Sequence, residues 1–206
     1  MKFATMMSLS LLVASTCAMA DDWYVVGEVT HSKTKLDTSA SNTALTTAGA
    51  TGLVTSNGKD NGNQVRLQLG YKVNPNFAVE AGYIDFGKAK FTSTYTGGTA
   101  DGTVKAGGID VAALGILPVT DSLSVFGKAG IVAAQVKSSL SATGLTSPGD
   151  TKSNVVAPLL GLGVSYKISD NTDLRAEYDH VSKLGKSDKT DKLTSNMISM
   201  GVAYHF

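Results

Sequence analysis

The sequence predicts an all-β protein, an eight-stranded antiparallel up-and-down transmembrane β-barrel. Three features of the 206-residue chain lead to this prediction. The N-terminus has the layout of a secretion signal, eight segments alternate between apolar and polar residues, and short turns alternate with long connections between these segments. Alternation with a period of two is typical of a strand that separates two different environments.

The secretion signal comes first in the chain. Lys2 gives a positive start, an apolar stretch covers Phe3–Ala14, and Ala18-Met19-Ala20 forms a small-x-small cleavage site. The apolar stretch is too short to cross a bilayer as a helix. We therefore predict a signal peptide over residues 1–20 and an outer-membrane barrel domain over residues 21–206.

Charge and cysteine content narrow the functional classes. A formal net charge of +1 provides no strongly basic surface, so we expect no nucleic-acid partner. The only cysteine, Cys17, lies inside the predicted signal peptide, which leaves the barrel domain without a disulfide or a thiolate ligand. The alternative is a lipoprotein acylated at Cys17, but the bulky Thr16 beside it disfavours this interpretation.

The alternation is clearest at Val65–Val73, where every odd position is apolar or aromatic and every even position is polar or glycine. Seven further segments are of similar kind, and each has at least the ~9 residues that a tilted membrane strand needs. Eight is an even number, as single-chain bacterial barrels require. The predicted strands are Trp23–His31, Val65–Val73, Phe77–Phe86, Val104–Leu117, Leu123–Val136, Val155–Ile168, Thr172–His180 and Ser195–Phe206.

The connections between these strands alternate in length. Asn74–Asn76, Pro118–Ser122 and Ser169–Asn171 are predicted tight turns on the periplasmic side, where both termini also lie. The predicted long surface loops are Lys33–Asn63, Gly87–Thr103, Lys137–Asn154 and Val181–Thr194.

Aromatic residues collect near the short turns on the apolar face, which is typical of an interfacial girdle. A soluble barrel with an apolar interior is the alternative, but an eight-stranded lumen is too narrow to hold so many large side chains. The girdle residues are Trp23, Tyr71, Phe77, Tyr166, Tyr204 and Phe206.

Several collinear stretches resemble the transmembrane barrel of the outer membrane protein A family. They are Trp23-Tyr24, Gly70 to Pro75, Glu80 to Tyr83, Pro118 to Leu123, Leu174 to Tyr178 and Met200 to Phe206. The resemblance implies a barrel in the outer membrane. The ending Tyr204-His205-Phe206 also resembles the assembly signal that the barrel-assembly machinery recognises, although a terminal aromatic residue could simply belong to the girdle.

Two departures from the family limit what the resemblance implies. Larger members carry a peptidoglycan-binding domain after the barrel, whereas this sequence ends at Phe206, so we expect no cell-wall anchor. The family also has a lysine in the fourth strand that joins an interior charge network, and Leu114 stands at that position here.

The polar face of the predicted strands carries a set of charged residues that would point into the lumen. Charges in a narrow dry interior must pair or stay hydrated. We favour a static salt-bridge plug over an ion path gated by Arg175 switching between Glu80 and Glu177. The predicted lumen charge network is Glu28, Arg66, Glu80, Asp110, Lys128, Arg175, Glu177 and Asp179.

Little else in the sequence suggests chemistry. The histidines His31, His180 and His205 have no metal-ligand spacing, and we expect neither metal nor cofactor. His180 and Ser182 match the His-x-Ser pair of barrel enzymes that deacylate lipid A, but the Asn-Ala-Gly that follows the serine in those enzymes is absent. We expect no enzyme activity.

These observations predict a structural outer-membrane barrel that supports envelope integrity and presents surface loops, with adhesion or receptor binding as a loop role. The alternative is a small ion- or solute-conducting porin. The expected partners are outer-membrane lipid, lipopolysaccharide and the barrel-assembly machinery, with an unnamed host or phage ligand at the loops. We expect a monomer.

Overall fold

The computed structural model describes residues 22–57, 63–145, 149–184 and 192–206. The predicted signal peptide, with Cys17, lies outside these residues. No helix within the described ranges has the length and apolar character needed to cross a membrane.

The described chain contains nine strands and one short helix. The helix α1 covers Ser39–Thr47. The strands are β1 (Trp23–Asp37), β2 (Val54–Asn57), β3 (Asn63–Asn74), β4 (Phe77–Tyr95), β5 (Gly98–Pro118), β6 (Leu123–Ala142), β7 (Gly149–Ser169), β8 (Thr172–Leu184) and β9 (Lys192–His205).

Eight of these strands form a closed antiparallel ring in the order β1-β3-β4-β5-β6-β7-β8-β9. The first and last strands complete the ring, with Tyr24 opposite His205 at one end and Asp37 opposite Lys192 at the other. The remaining strand, β2, is short and is not one of the eight ring strands. It pairs with the far end of β4, from Val54↔Thr94 to Asn57↔Phe91. The predicted eight-stranded barrel is therefore confirmed.

The predicted strand lengths are wrong at the end of the barrel with the long connections, which we call the upper end. The segment Gly87–Thr103 is not a loop, because β4 continues to Tyr95 and β5 begins at Gly98. A tight turn at Thr96-Gly97 joins them, and Gly97 adopts a positive φ of 93° that favours glycine. The segment Lys137–Asn154 is likewise mostly strand, in β6 and β7.

These errors have one physical reason. In the apolar band, where the barrel faces lipid, apolar side chains point outward, whereas above this band the alternation continues with apolar side chains pointing inward. Ala89, Phe91 and Val104 point into the barrel and are buried, while Lys88 and Lys90 point outward and are exposed. An outward apolar face marks a strand in lipid, so strands that face water outside lack that signal.

The first long connection contains regular structure that the sequence did not predict. Helix α1 packs its buried Leu45 against the upper interior of the barrel, together with Ala50. The Thr55 hydroxyl donates a hydrogen bond to Asn42 Oδ1 at 2.8 Å, which ties β2 to the helix. The segment from α1 to β2 therefore packs over the upper end of the lumen.

Candidate functional site

The predicted lumen charges lie together in a single layer across the barrel interior. Six strands, β1, β3, β4, β5, β6 and β8, each contribute inward positions, and every one of the eight residues is at most 6% exposed. We call this set the charge layer: Glu28, Arg66, Glu80, Asp110, Lys128, Arg175, Glu177 and Asp179.

Arg175 is held by two carboxylates at once. Its guanidinium forms a bidentate pair with Glu80, with Nη1–Oε1 at 2.5 Å and Nη2–Oε2 at 3.1 Å. The same Nη2 donates to Glu177 Oε2 at 2.8 Å. The guanidinium carbon also lies over the Phe126 ring, 4.3 Å from its centre, in a cation–π arrangement. Arg175 therefore needs no movement to reach either of its acidic partners.

Glu177 contacts every cation of the charge layer. Its Oε1 accepts from Arg66 Nη1 at 2.5 Å, and its Oε2 lies 3.0 Å from Lys128 Nζ as well as contacting Arg175. Lys128 Nζ also lies 3.0 Å from Glu80 Oε2. The three cations are thus linked to one another through two shared carboxylates.

Arg66 joins the other side of the layer. Its Nη2 donates to Asp110 Oδ2 at 2.8 Å, and its Nη1 contacts Asp179 Oδ2. Glu28 is more weakly held, since it lies 3.9 Å from Arg66 and 3.6 Å from Arg175 and neither of its oxygens has a hydrogen bond among the described residues. Five carboxylates face three cations, and Glu28 is the least compensated of them.

Two uncharged polar residues complete the layer, and neither was predicted from the sequence. The Tyr24 hydroxyl donates to Glu80 Oε1 at 2.8 Å. With its amide oxygen turned toward the cations, Gln68 accepts from Lys128 Nζ at 3.2 Å and from Arg66 Nη2 at 3.1 Å. Both residues occupy inward positions of the alternation, so strand parity was the signal that could have identified them.

Two strand glycines of β7 make room for this layer. A Cβ atom at Gly161 would lie 2.0 Å from Asp179 Oδ1, and one at Gly163 would lie 2.2 Å from Cζ of Phe126. Any larger residue at either position would displace the side chains that hold or flank the charges.

Apolar residues fill the lumen on both sides of the charge layer. The upper core contains Phe91, Val104, Val132, Val136, Leu159 and Met197, among other buried residues. The lower plug, toward the short turns, consists of Tyr24, Val26, Ala78, Leu114, Phe126 and Ala203.

The departure from the family at Leu114 has a structural explanation. Leu114 belongs to the lower plug and lies directly opposite Lys128 on the neighbouring strand. The one lysine among the three cations of the charge layer, Lys128, is on β6.

The predicted assembly-signal residues lie at the short-turn rim. Tyr204 is exposed on the outer face of β9, and its ring contacts Phe206 edge-on with centroids 5.5 Å apart. The Phe206 backbone N–H donates to Trp23 O at 3.1 Å, which joins the C-terminus to the first strand.

The histidines are held by structural contacts. His31 Nδ1 lies 3.1 Å from Asn63 Oδ1, and His180 Nδ1 lies 2.7 Å from Asn196 Oδ1. The described residues contain no group of three His, Cys, Asp or Glu side chains arranged to hold a metal ion.

A closed ring of antiparallel strands with apolar side chains outside and a paired charge layer inside defines an integral β-barrel protein of the bacterial outer membrane. The sequence profile of the OmpA-like transmembrane domain matches residues 18–206. The chain belongs to this family.

Relatives of known identity agree with this assignment. Outer membrane protein A of Escherichia coli O157:H7 is 30% identical over 167 residues, which cover 76% of this chain and 43% of that protein. The protein of the same name from Serratia marcescens is 32% identical over 142 residues, covering 67% of this chain and 38% of that protein. The chain thus matches less than half the length of these relatives.

Solved structures resemble the fold at low sequence identity. Neisserial surface protein A superposes with a TM-score of 0.57 and 18% identity, over 89% of this chain and 97% of that chain. Ail, the attachment invasion locus protein of Yersinia pestis, gives a TM-score of 0.55 and 17% identity, over 91% and 100% of the two chains.

Proposed function

We propose that this protein is a structural outer-membrane barrel whose lumen is closed by the charge layer. The observation that carries the proposal is the pairing of Arg66, Lys128 and Arg175 with buried carboxylates between two apolar layers. Removing one partner from such a buried pair costs roughly 3–5 kcal/mol, because the other charge is left uncompensated, so an open, unpaired arrangement of the layer is unfavourable. The barrel then supports the envelope without conducting solutes and has no enzyme activity.

The proposed orientation places the short turns and both termini in the periplasm. Residues 1–20 would be removed as a signal peptide after Ala20. Tyr204 and Phe206 would then act as the recognition signal for the barrel-assembly machinery, and the monomer would present the upper connections to the cell surface. A binding role of these connections toward a host or phage ligand is part of this proposal.

Single-channel recording tests the closed lumen. Refolded protein in a planar bilayer should show small and rare conductance steps, since ions would have to pass both apolar layers and the charge layer. Frequent large steps in the wild-type protein would overturn the proposal. Folding of each preparation should first be verified by its gel mobility, so that leakage through unfolded protein is not counted.

A small porin is the second candidate, and a cavity at the short-turn end favours it. This cavity of about 230 Å³ is lined by Lys72, Asp173, Arg175 and His205, among others. It therefore extends from the short-turn end to Arg175 in the charge layer. A porin would respond to Arg175→Ala with higher conductance and little loss of stability. The closed barrel would lose stability instead.

A further inference from the structure

Four lysines on neighbouring strands form a continuous row on the outer surface of the barrel. Lys88 of β4 lies opposite Lys105 of β5, Lys105 lies opposite Lys137 of β6, and Lys137 lies opposite Lys152 of β7. All four side chains are exposed. We call these residues the basic row. Strands lie about 4.8 Å apart, so the row extends over roughly 15 Å.

The four lysines of the basic row face one another without an ion pair to any other described residue. Like charges directly opposite each other on adjacent strands destabilise a sheet. Throughout the described part of the chain, ion pairs with lysine involve Lys128 and Lys167, and none reaches the basic row. Four neighbouring ammonium groups at a single level, without an ion pair among the described residues, favour an anion from outside the chain as their partner.

The level of the row identifies where that anion lies. On β5, Ile109 is exposed to the outside as the first residue of the apolar band, four residues from Lys105. At ~3.3 Å per residue and a strand tilt of about 40°, the row lies roughly 10 Å beyond that band. The polar headgroup layer is roughly 5–8 Å thick, and lysine side chains bend their ammonium groups toward such an interface.

The layer between the row and the apolar band is polar but uncharged on β6 and β7. There, Gln135 donates a hydrogen bond to Asn154 at 3.3 Å. These two residues lie on the same outer face as Lys137 and Lys152, two residues nearer to the apolar band on each strand. Below this pair the outer surface turns apolar at Ile131 and Val156, which are both exposed. A lipid whose acyl chains cover the apolar band would therefore carry its headgroup to the basic row.

We propose that the basic row is a binding site for the phosphate groups of lipopolysaccharide in the outer leaflet. Phosphate is a strong acceptor for lysine, and several phosphates on one lipid match a linear array of ammonium groups. The inference rests on the proposed outer-membrane orientation and does not depend on whether the lumen is closed. It names a specific contact for the lipid on the β4–β7 side of the barrel.

The test compares two variants that each remove two positive charges, one from the basic row and the other from a different part of the outer surface. Lys105→Gln/Lys137→Gln removes the middle of the row, and Lys33→Gln/Lys35→Gln removes two exposed lysines of β1, outside the row. Protein purified from outer membranes and stripped of lipid in a non-ionic detergent is titrated with lipopolysaccharide. Bound lipid is measured by native mass spectrometry, after folding of each variant is verified by its gel mobility.

We expect Lys105→Gln/Lys137→Gln to bind lipopolysaccharide about 30-fold more weakly than wild type, given the attraction of each lysine to an anionic surface. This change corresponds to about 2 kcal/mol. The β1 variant should bind nearly as wild type does, and dephosphorylated lipopolysaccharide should bind all three proteins weakly. Added salt should weaken binding by the wild type more than by the row variant.

Three outcomes would overturn the inference. Equal losses in both variants would mean a general charge effect, and equal binding of dephosphorylated lipid would mean that sugars or acyl chains are recognised. Loss of binding to a soluble sulfated polysaccharide, with lipopolysaccharide unaffected, would assign the row to a different partner. Conductance of the same preparations is recorded separately, so an open lumen and an absent lipid site are distinguishable.

Discussion

The two ends of the barrel bury opposite kinds of side chain, although the same face of each strand points inward at both ends. At the upper end of β5, the apolar Val104 is buried inside and the charged Lys105 is exposed. A few residues further along the same strand, the charged Asp110 is buried and the apolar Ile109 is exposed. The reversal takes place within β5 without a break in its pairing to β6. The backbone therefore does not decide which kind of side chain faces the lumen.

The medium outside the barrel decides it. Lipid accepts apolar side chains, so in the membrane band the apolar residues point outward and the charges are left to pair inside. Above the band, water surrounds the barrel, and burial of apolar residues in the interior becomes the favourable arrangement. The upper end is in effect a small soluble barrel stacked on a membrane barrel.

The largest expected effect comes from breaking the interior of the membrane band. Arg175→Ala leaves Glu80 and Glu177 buried without one of their cations, and we expect a loss of roughly 3–5 kcal/mol in the free energy of unfolding. Urea unfolding in lipid vesicles, followed by the fluorescence of the only tryptophan, Trp23, measures this.

An exposed ion pair provides the matched control for that measurement. Lys167 pairs with Asp170 at 3.0 Å, with side chains that are 47% and 97% exposed. Lys167→Ala should cost less than ~1 kcal/mol. Similar losses for the two variants would mean that the charge layer is hydrated and that the contrast between interior and surface is wrong.

A charge placed on the outer face should separate the two ends of the barrel directly. Leu162 is 70% exposed near the middle of the apolar stretch of β7, and Leu162→Arg should cost about 2–4 kcal/mol. Ser139 lies on the outer face of the upper end, so Ser139→Arg should change stability by less than ~0.5 kcal/mol. Unfolding in vesicles compares them, and equal costs would place Ser139 in lipid as well.

The smallest expected effect on stability concerns the short-turn rim. Phe206→Ser should slow membrane insertion and leave unfolded precursor in the periplasm, while the folded barrel loses little stability. Phe77→Ser removes an exposed aromatic residue that the sequence analysis assigned to the same rim. Pulse-chase labelling measures the rate of insertion, with folded barrel and unfolded precursor distinguished by their gel mobility before heating. If both variants insert equally slowly, the C-terminal aromatic residue acts only as part of the girdle.

Strand parity in the sequence was enough to indicate which residues point into the lumen of the membrane band. It placed Arg66, Glu80 and Lys128 on the polar face from the residues alone. It failed where the pattern reverses, since Gly87–Thr103 was interpreted as a loop although its alternation continues as strand. Parity also places Tyr24 and Gln68 on the inward face, but their uncharged side chains gave no reason to include them in the predicted charge network.

The sequence by itself determined the number of barrel strands, the three predicted short turns and the direction of the side chains in the membrane band, because these depend on local periodicity and on turn residues. Only the tertiary structure decided which charges meet. Glu80 and Arg175 are 95 residues apart in the chain, and their pairing depends on strand register and on the tilt of the closed ring. Parity gives the direction of a side chain but neither its height nor its position around the barrel. The same limit hid the basic row, whose four lysines are aligned only by the register of four strands.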